Sequence, residues 1–339
     1  MRRVPLPELQ QIAQSALRRI LNRIGTGLQT MPPEQHIVIA VLDSGVDCGH
    51  PDFQFGAASL ASGDPPMCSD SASHGWHGTA VAGIIAAGIK QFAHPAGAAP
   101  PASIRSYRIT DEEHGTVHPH RIVAAMQAAM ADGARVINLS ASWSEDDASL
   151  QRALLLAKEG AITAAGALIV ATSPGYLTHS GAQYPGVYAD ADRFDFLLSV
   201  AGFGMKRLQG ALADRRPCIS PLASTIAWNR EHPDNGYAPR MLAAPGEDIL
   251  TALPGNRHGR VRGDSFAAPY VTGLAAAALL QPAYRHMKAA GLRRLLFETA
   301  CSAPPALRNL AGGAGIHCIA SDRFIETLNC PAWESRYDA

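Results

Sequence analysis

A single α/β domain, with a mostly parallel sheet covered by helices on both faces, is the fold class this sequence predicts. Apolar, β-branched runs alternate with helical patterns, Gly-rich joints separate them, and Ala, Leu, Ile and Val dominate the apolar content, with aromatics only 6% of the chain. Strands of a parallel sheet are buried on both faces and read as continuous apolar runs. Regular alternation of strand and helix marks the crossovers that parallel pairing requires. With 339 residues, 47% of them hydrophobic, the chain is long enough to bury a large core.

The elements follow in order. Leu9, Ile12, Ala13, Ala16, Leu17, Ile20, Leu21 and Ile24 recur at helical spacing, which predicts an amphipathic helix over residues 7–24 docked on the domain. After Pro32-Pro33, HIVIAVLDSG is a buried strand ending in a turn, and HGTAVAGIIAAG opens a helix whose small residues face the sheet. Residues 102–109 are a strand, 119–132 a helix, ARVINLSAS a strand, 150–165 a helix, and ALIVATS and FLLSVAGFG two more strands. A loop-rich stretch at 207–240 leads into MLAAPGEDILTAL, and Ser265 opens a long apolar helix reaching about Leu280. The domain is expected over 36–302, preceded by a lead-in (1–35) and followed by a C-terminal extension (303–339) packed on it.

Basic and acidic residues balance at 29 each, so neither nucleic acid nor an anionic membrane is an expected partner. No run reaches the ~18 apolar residues of a membrane-spanning helix, so no stable membrane insertion is expected. The first 25 residues carry basic residues but no continuous apolar stretch and no small-residue cleavage site, so they do not read as an export signal. The expected location is the cytoplasm. Six scattered cysteines without CxxC spacing exclude a cysteine metal cluster and are expected to be reduced.

Three segments put a reactive side chain at the end of a strand or the start of a helix. In VLDSGVD, Asp43 follows an apolar strand, at the carboxyl end where open α/β sheets build their sites. In HGWHGTAVAG, His77 precedes the Gly-Thr that begins a helix, and in RGDSFAAPYVTG, Ser265 stands at a helix start. Singly, these are an ordinary turn former, helix cap and N-cap. Together they supply what a serine nucleophile needs: a base, and an acid that fixes the base's tautomer. Unpaired amides at the helix start, that of Ser265 among them, suit a developing oxyanion.

These segments resemble the motifs of the subtilisin-like (subtilase) serine peptidases. VLDSGVDCGHPDF is similar to the aspartate motif, HGTAVAGIIAA to the histidine motif and GDSFAAPYVTG to the serine motif, in the family's Asp-His-Ser order. The VINLS strand and LAAPGEDILTALPG also resemble the family, over about 36–280. The resemblance implies a parallel, about seven-stranded sheet and a serine endopeptidase working through Asp43, His77 and Ser265. It also implies a peptide or protein substrate held in extended form by backbone bonds to Leu139, Ser140, Ala141 and Ser142 on one side and to Glu113, His114 and Gly115 on the other.

The departures matter as much. Where the family has two glycines flooring its first specificity pocket, this chain has Ser142 and Trp143; Trp143 either narrows the pocket or stacks on a substrate side chain, or turns outward and covers core. Where the family has a Gly-Asn pair supplying the oxyanion donor, this chain reads Ser173-Pro174-Gly175-Tyr176, with Gly175 at the Asn position. Losing that donor costs ~2.7–4 kcal/mol of transition-state stabilisation, a figure that comes from this same family. The Ser265 N–H alone, the Ser173 hydroxyl or a donor from elsewhere in the chain are the remaining candidates. The expected activity is therefore restricted, as in a protease that processes a specific protein or precursor peptide; the alternative is a subtilase-fold protein that binds peptides without cutting them. Asp264 beside the nucleophile complements the helix dipole. Asp52 in HPDF matches a family calcium carboxylate, but the family's calcium loop is not recognisable, and no metal and no other cofactor is expected. His74, His94, His114, His118 and His120 read as solvated loop residues.

Overall fold

The computed structural model describes residues 37–53, 76–88, 97–99, 102–111, 115–159, 165–172, 184–190, 192–206, 216–219, 241–302 and 317–319, with 324, 327 and 328. Strand β1 (Val38–Asp43) shows why the sheet is two-sided: Ile39, Ala40, Val41 and Leu42 are all fully buried, so both of its faces are covered. It pairs in parallel with β2 (Ser103–Arg108) on one side and β3 (Val136–Leu139) on the other. Parallel pairing continues through β4 (Leu168–Thr172), β5 (Leu197–Lys206), β7 (Met241–Pro245) and β11 (His317–Cys318). Two short strands, β6 (Arg216–Ile219) and β10 (Cys301–Ser302), add to this sheet antiparallel. The mostly parallel α/β architecture is as the sequence predicts. Because β1 sends the chain first to β2 and then across to β3, the strand order reverses beside Asp43, and such a switch point opens a crevice at the carboxyl ends of the strands.

Helices α1 (Trp76–Ala86) and α4 (Asp264–Leu279) are apolar nearly all round, as helices enclosed by their surroundings must be. They pack against each other, α1 over β1 and α4 over β3, β4, β5 and β7. Small residues permit the approach: a Cβ on Gly83 would lie 2.5 Å from Thr251 Oγ1, and one on Gly273 would lie 2.3 Å from Ala98 Cβ. Helix α2 (Pro119–Ala131) instead buries one stripe, Ile122, Ala125, Met126, Ala129 and Met130, and packs with α3 (Ala148–Glu159). Helix α5 (Ala289–Thr299) buries Leu292, Leu295 and Leu296 and packs on β4 and β5.

Several elements differ from the sequence reading. The segment MLAAPGEDILTAL is two strands, β7 and β8 (Ile249–Leu253), and β8 forms a separate hairpin with β9 (Arg257–Val261). Gly255 and Asn256 at its tip both take positive φ, the backbone a tight hairpin turn demands. Strand β6 lies within the stretch read as loop. The described part of α3 ends at Glu159, and residues 160–164 of the expected helix, like the N-terminal helix over 7–24, lie outside the described residues. The expectation of reduced cysteines fails at Cys48, which is disulfide-bonded. Among the described residues, no helix is long and apolar enough to cross a membrane.

Candidate active site

Asp43 is the last residue of β1, at the switch point, with its side chain only 4% exposed. His77 is the second residue of α1, and its Nδ1 lies 2.8 Å from Asp43 Oδ1. The glycine of the His-Gly-Thr motif allows this meeting. A Cβ on Gly78 would fall 2.2 Å from the Gly45 carbonyl oxygen and 3.2 Å from Asp43 Cβ, so only a bare backbone lets the helix start settle onto the loop leaving β1. The Gly78 amide donates to Ser44 Oγ at 3.1 Å, the Ser44 amide donates to Asp43 Oδ1 at 2.7 Å, and the Asp47 amide donates to Thr79 Oγ1 at 2.9 Å, which stitch loop and helix together.

The electrostatics follow from this geometry. Burial of the His77 ring disfavours its charge, but the neighbouring Asp43 carboxylate and the hydrogen bond to it outweigh that effect, so His77 titrates above its ordinary value. Asp43 Oδ2 is buried with no hydrogen-bond partner among the described residues, so the carboxylate is held through Oδ1, by the imidazole and the Ser44 amide. The ring is 26% exposed, open for contact on its other side.

Ser265 is the second residue of α4, where amides have no carbonyl one turn back to bond. Gly263 before the helix has φ 140°, in the region open to glycine, and its amide donates to the Gly246 carbonyl at 2.7 Å. Asp264 accepts the Gly202 amide at 2.7 Å, which fastens the helix start to β5; the residue thus anchors the helix as well as complementing its dipole. The Ser265 carbonyl lacks its helical donor because the residue four further on is Pro269, which has no N–H. The Ser140 hydroxyl donates to it instead, at 2.9 Å, and accepts from Asn138 Nδ2 at 2.9 Å, while Asn138 Oδ1 accepts from Thr272 at 2.9 Å. This buried relay ties the end of β3 to the start of α4. Phe266 packs its ring 5.0 Å from that of His77, and the 40%-exposed Trp76 lies 5.6 Å and 6.1 Å from His77 and Phe266, so the start of α4 stands beside the histidine.

Along the expected substrate edge, Leu139 ends β3, Ser140 is taken up in the relay, Ala141 is half-buried and Ser142 is exposed. Trp143 exchanges both backbone hydrogen bonds with Tyr184, at 2.9 Å and 2.8 Å, so its backbone is already paired, and its side chain packs against the core. On the opposite edge Gly115 has φ 68° and donates to Asp111 Oδ1. Glu113, His114, Ser173 and Gly175 lie outside the described residues, and with them the oxyanion loop. His118 bonds Asp111 at 3.0 Å. Asp52 is fully buried, with His258 Nε2 2.7 Å from its Oδ2 and its amide donating to His50 Nδ1 at 3.2 Å; among the described residues, the six to eight oxygens that calcium takes do not gather around it. The sequence reading missed Asn138, Ser140 and Thr272 as positioners of Ser265. Pro269, four residues beyond the serine, is the one local signal that its carbonyl needs an outside donor.

A model of the subtilase family matches residues 34–318. The chain is 27% identical over 242 residues to the major intracellular serine protease of Bacillus subtilis strain 168, covering 70% of this chain and 67% of that protein. It is 30% identical over 245 residues to the thermophilic serine proteinase of Bacillus sp. strain AK1, covering 70% of this chain and 51% of the relative. The matched region spans 55% of subtilisin NAT of Bacillus subtilis subsp. natto, at 28% identity. Among solved structures, a mutant of the protease domain of PatA superposes with a TM-score of 0.61 at 25% identity, covering 86% of this chain and 94% of that one. The prenylagaramide maturation protease PagA superposes with a TM-score of 0.62 at 24% identity, covering 91% and 98%.

Proposed function

The chain belongs to the subtilase family of serine peptidases, and from that premise we propose that it is an endopeptidase acting on a specific protein or precursor peptide through Asp43, His77 and Ser265. The observation that carries the proposal is the 2.8 Å bond between His77 Nδ1 and the buried Asp43, beside the helix start that bears Ser265. Asp43 accepts the Nδ1 proton, which leaves the Nε2 lone pair to take the proton of Ser265 Oγ as the oxygen attacks the scissile carbonyl. The imidazolium formed is the species Asp43 stabilises, and the raised pKa of His77 expresses the same preference. The Ser265 amide, at the helix start, is the backbone donor available to the developing oxyanion; the Phe266 amide is taken by the Gly263 carbonyl at 3.0 Å. His77 then returns the proton to the leaving amine, and water, activated by the same base, hydrolyses the acyl-enzyme.

Two features favour processing over general digestion. The paired backbone of Trp143 shortens the strand edge open to an extended peptide, and the fold is shared with PatA and PagA, the latter a maturation protease by name. The disulfide at Cys48 weighs against a reducing compartment as the place of work. The test is to expose the chain to a proteome-derived peptide library and to casein, with Ser265→Ala as control. Cleavage of a narrow set of sequences, absent in the control, is expected; efficient casein digestion contradicts the restriction, and no cleavage of any peptide contradicts the activity.

A further inference from the structure

We propose that His50, Asp52 and His258 form a binding site for a divalent transition metal of the zinc class, outside the triad. One ligand atom from each of the three lies within 4.8 Å of the others. His50 and Asp52 are fully buried, and the His258 side chain is 21% exposed, which leaves one side open to solvent for entry and for a water as fourth ligand.

The orientation of His50 carries the argument furthest. Its Nε2 lies 3.1 Å from the Arg257 carbonyl, an acceptor only, so Nε2 holds the proton and Nδ1 keeps its lone pair. That lone pair faces Asp52, whose amide donates to it at a long 3.2 Å. A ring nitrogen bonded to a backbone carbonyl leaves the other to serve as ligand, which is how metal-ligating histidines are held; here a metal at Nδ1 would take the place of the Asp52 amide. His258 Nε2 stands 2.7 Å from Asp52 Oδ2, with its ring edge-on to that of His50 at 5.3 Å. Metal bound at about 2.0–2.2 Å would displace the proton between His258 and Asp52 and the amide contact at His50 Nδ1. Two nitrogens and a carboxylate suit zinc, and they do not suit calcium.

The position gives the site a consequence. His50 and Asp52 lie on the segment leaving Asp43, and His258 lies on the β8–β9 hairpin that runs into α4. Asp47 already accepts the Gly255 amide across this gap at 2.8 Å. A metal here would pin together the two segments that carry the acid and the nucleophile.

The full chain, freed of metal by chelator dialysis, is titrated with Zn²⁺ against a chromophoric chelator, and Ca²⁺ is run in parallel. Expected is one tightly held Zn²⁺ per chain in a His77→Ala background, which removes the triad as a competing site. Affinity is expected to fall at least 10-fold in His258→Ala, and calcium is expected not to compete. Zinc binding unchanged by His258→Ala, or lost instead with His118→Ala, overturns the proposal, as does a folded protein that takes up none. Should His258→Ala not fold, X-ray absorption on the zinc-loaded parent decides: two imidazoles and one carboxylate are expected, and any other protein ligand set overturns the site.

Discussion

Substituting Gly78 with alanine tests whether the close seating of α1 on the Asp43 loop is what creates the Asp43–His77 pair. The added methyl would sit 2.2 Å from the Gly45 carbonyl oxygen, where ordinary contact begins at 3.4 Å. Helix and loop must therefore part by about 1.2 Å, and both the obstructing oxygen and Asp43 belong to the loop that would be pushed away. If the whole separation fell on the 2.8 Å bond from His77, it would stretch to about 4 Å and cease to be a hydrogen bond. A displacement of this size at a catalytic group costs about 10²-fold in rate, and overpacking costs a further ~1–3 kcal/mol of stability. The assay is kcat/KM on a cleaved peptide together with the denaturation midpoint. Gly49→Ala is the control, since its Cβ meets only Asp47 Oδ1 at an ordinary 3.4 Å. Wild-type kcat/KM in Gly78→Ala, with Gly49→Ala equally active, would refute the reasoning.

Other outcomes follow from the same geometry. Because His77 titrates above its ordinary value and must be neutral to act as base, the acid limb of kcat/KM is expected above the usual histidine range. Asp43→Asn should move it down while lowering the rate by about 10⁴-fold; an unmoved limb would dissociate the pair from catalysis. The same raised pKa favours the folded state below the ordinary imidazole value, and that contribution fades as pH rises through the folded value, so His77→Ala should flatten the pH dependence of stability in this window. Asp264→Ala leaves the Gly202 amide without its acceptor and is expected to destabilise by about 1–3 kcal/mol in urea, whereas Asp264→Asn keeps an acceptor and should recover most of it. Gly175→Asn, which restores the family's donor at the position the sequence assigns, should speed acylation by up to ~10²-fold in stopped-flow measurements; no gain would locate the donor elsewhere.

The strands of the sheet's centre were legible because burial on both faces forces unbroken apolar runs, as in Ile39–Leu42. The candidate triad residues were legible because each stands at a strand–helix junction in a short local motif. What escaped the sequence is non-local or unpatterned. Strand β9, Arg257–Val261, reads RHGRV and is only partly buried, so no apolar alternation announces it. His258 is 206 residues from Asp52, and only the fold makes them neighbours. Ser140 reads as one serine among several until Pro269 is seen to strip the Ser265 carbonyl of its donor.

The central claim is that Asp43, His77 and Ser265 act as one nucleophilic unit. Covalent labelling with a fluorophosphonate, followed by intact mass and peptide mapping, tests it most directly. One adduct per chain is expected on Ser265, absent in Ser265→Ala and slowed in His77→Ala by several orders of magnitude, as triad losses in subtilisins themselves indicate. A folded wild-type chain that stays unlabelled, or one labelled at another residue, would contradict the account.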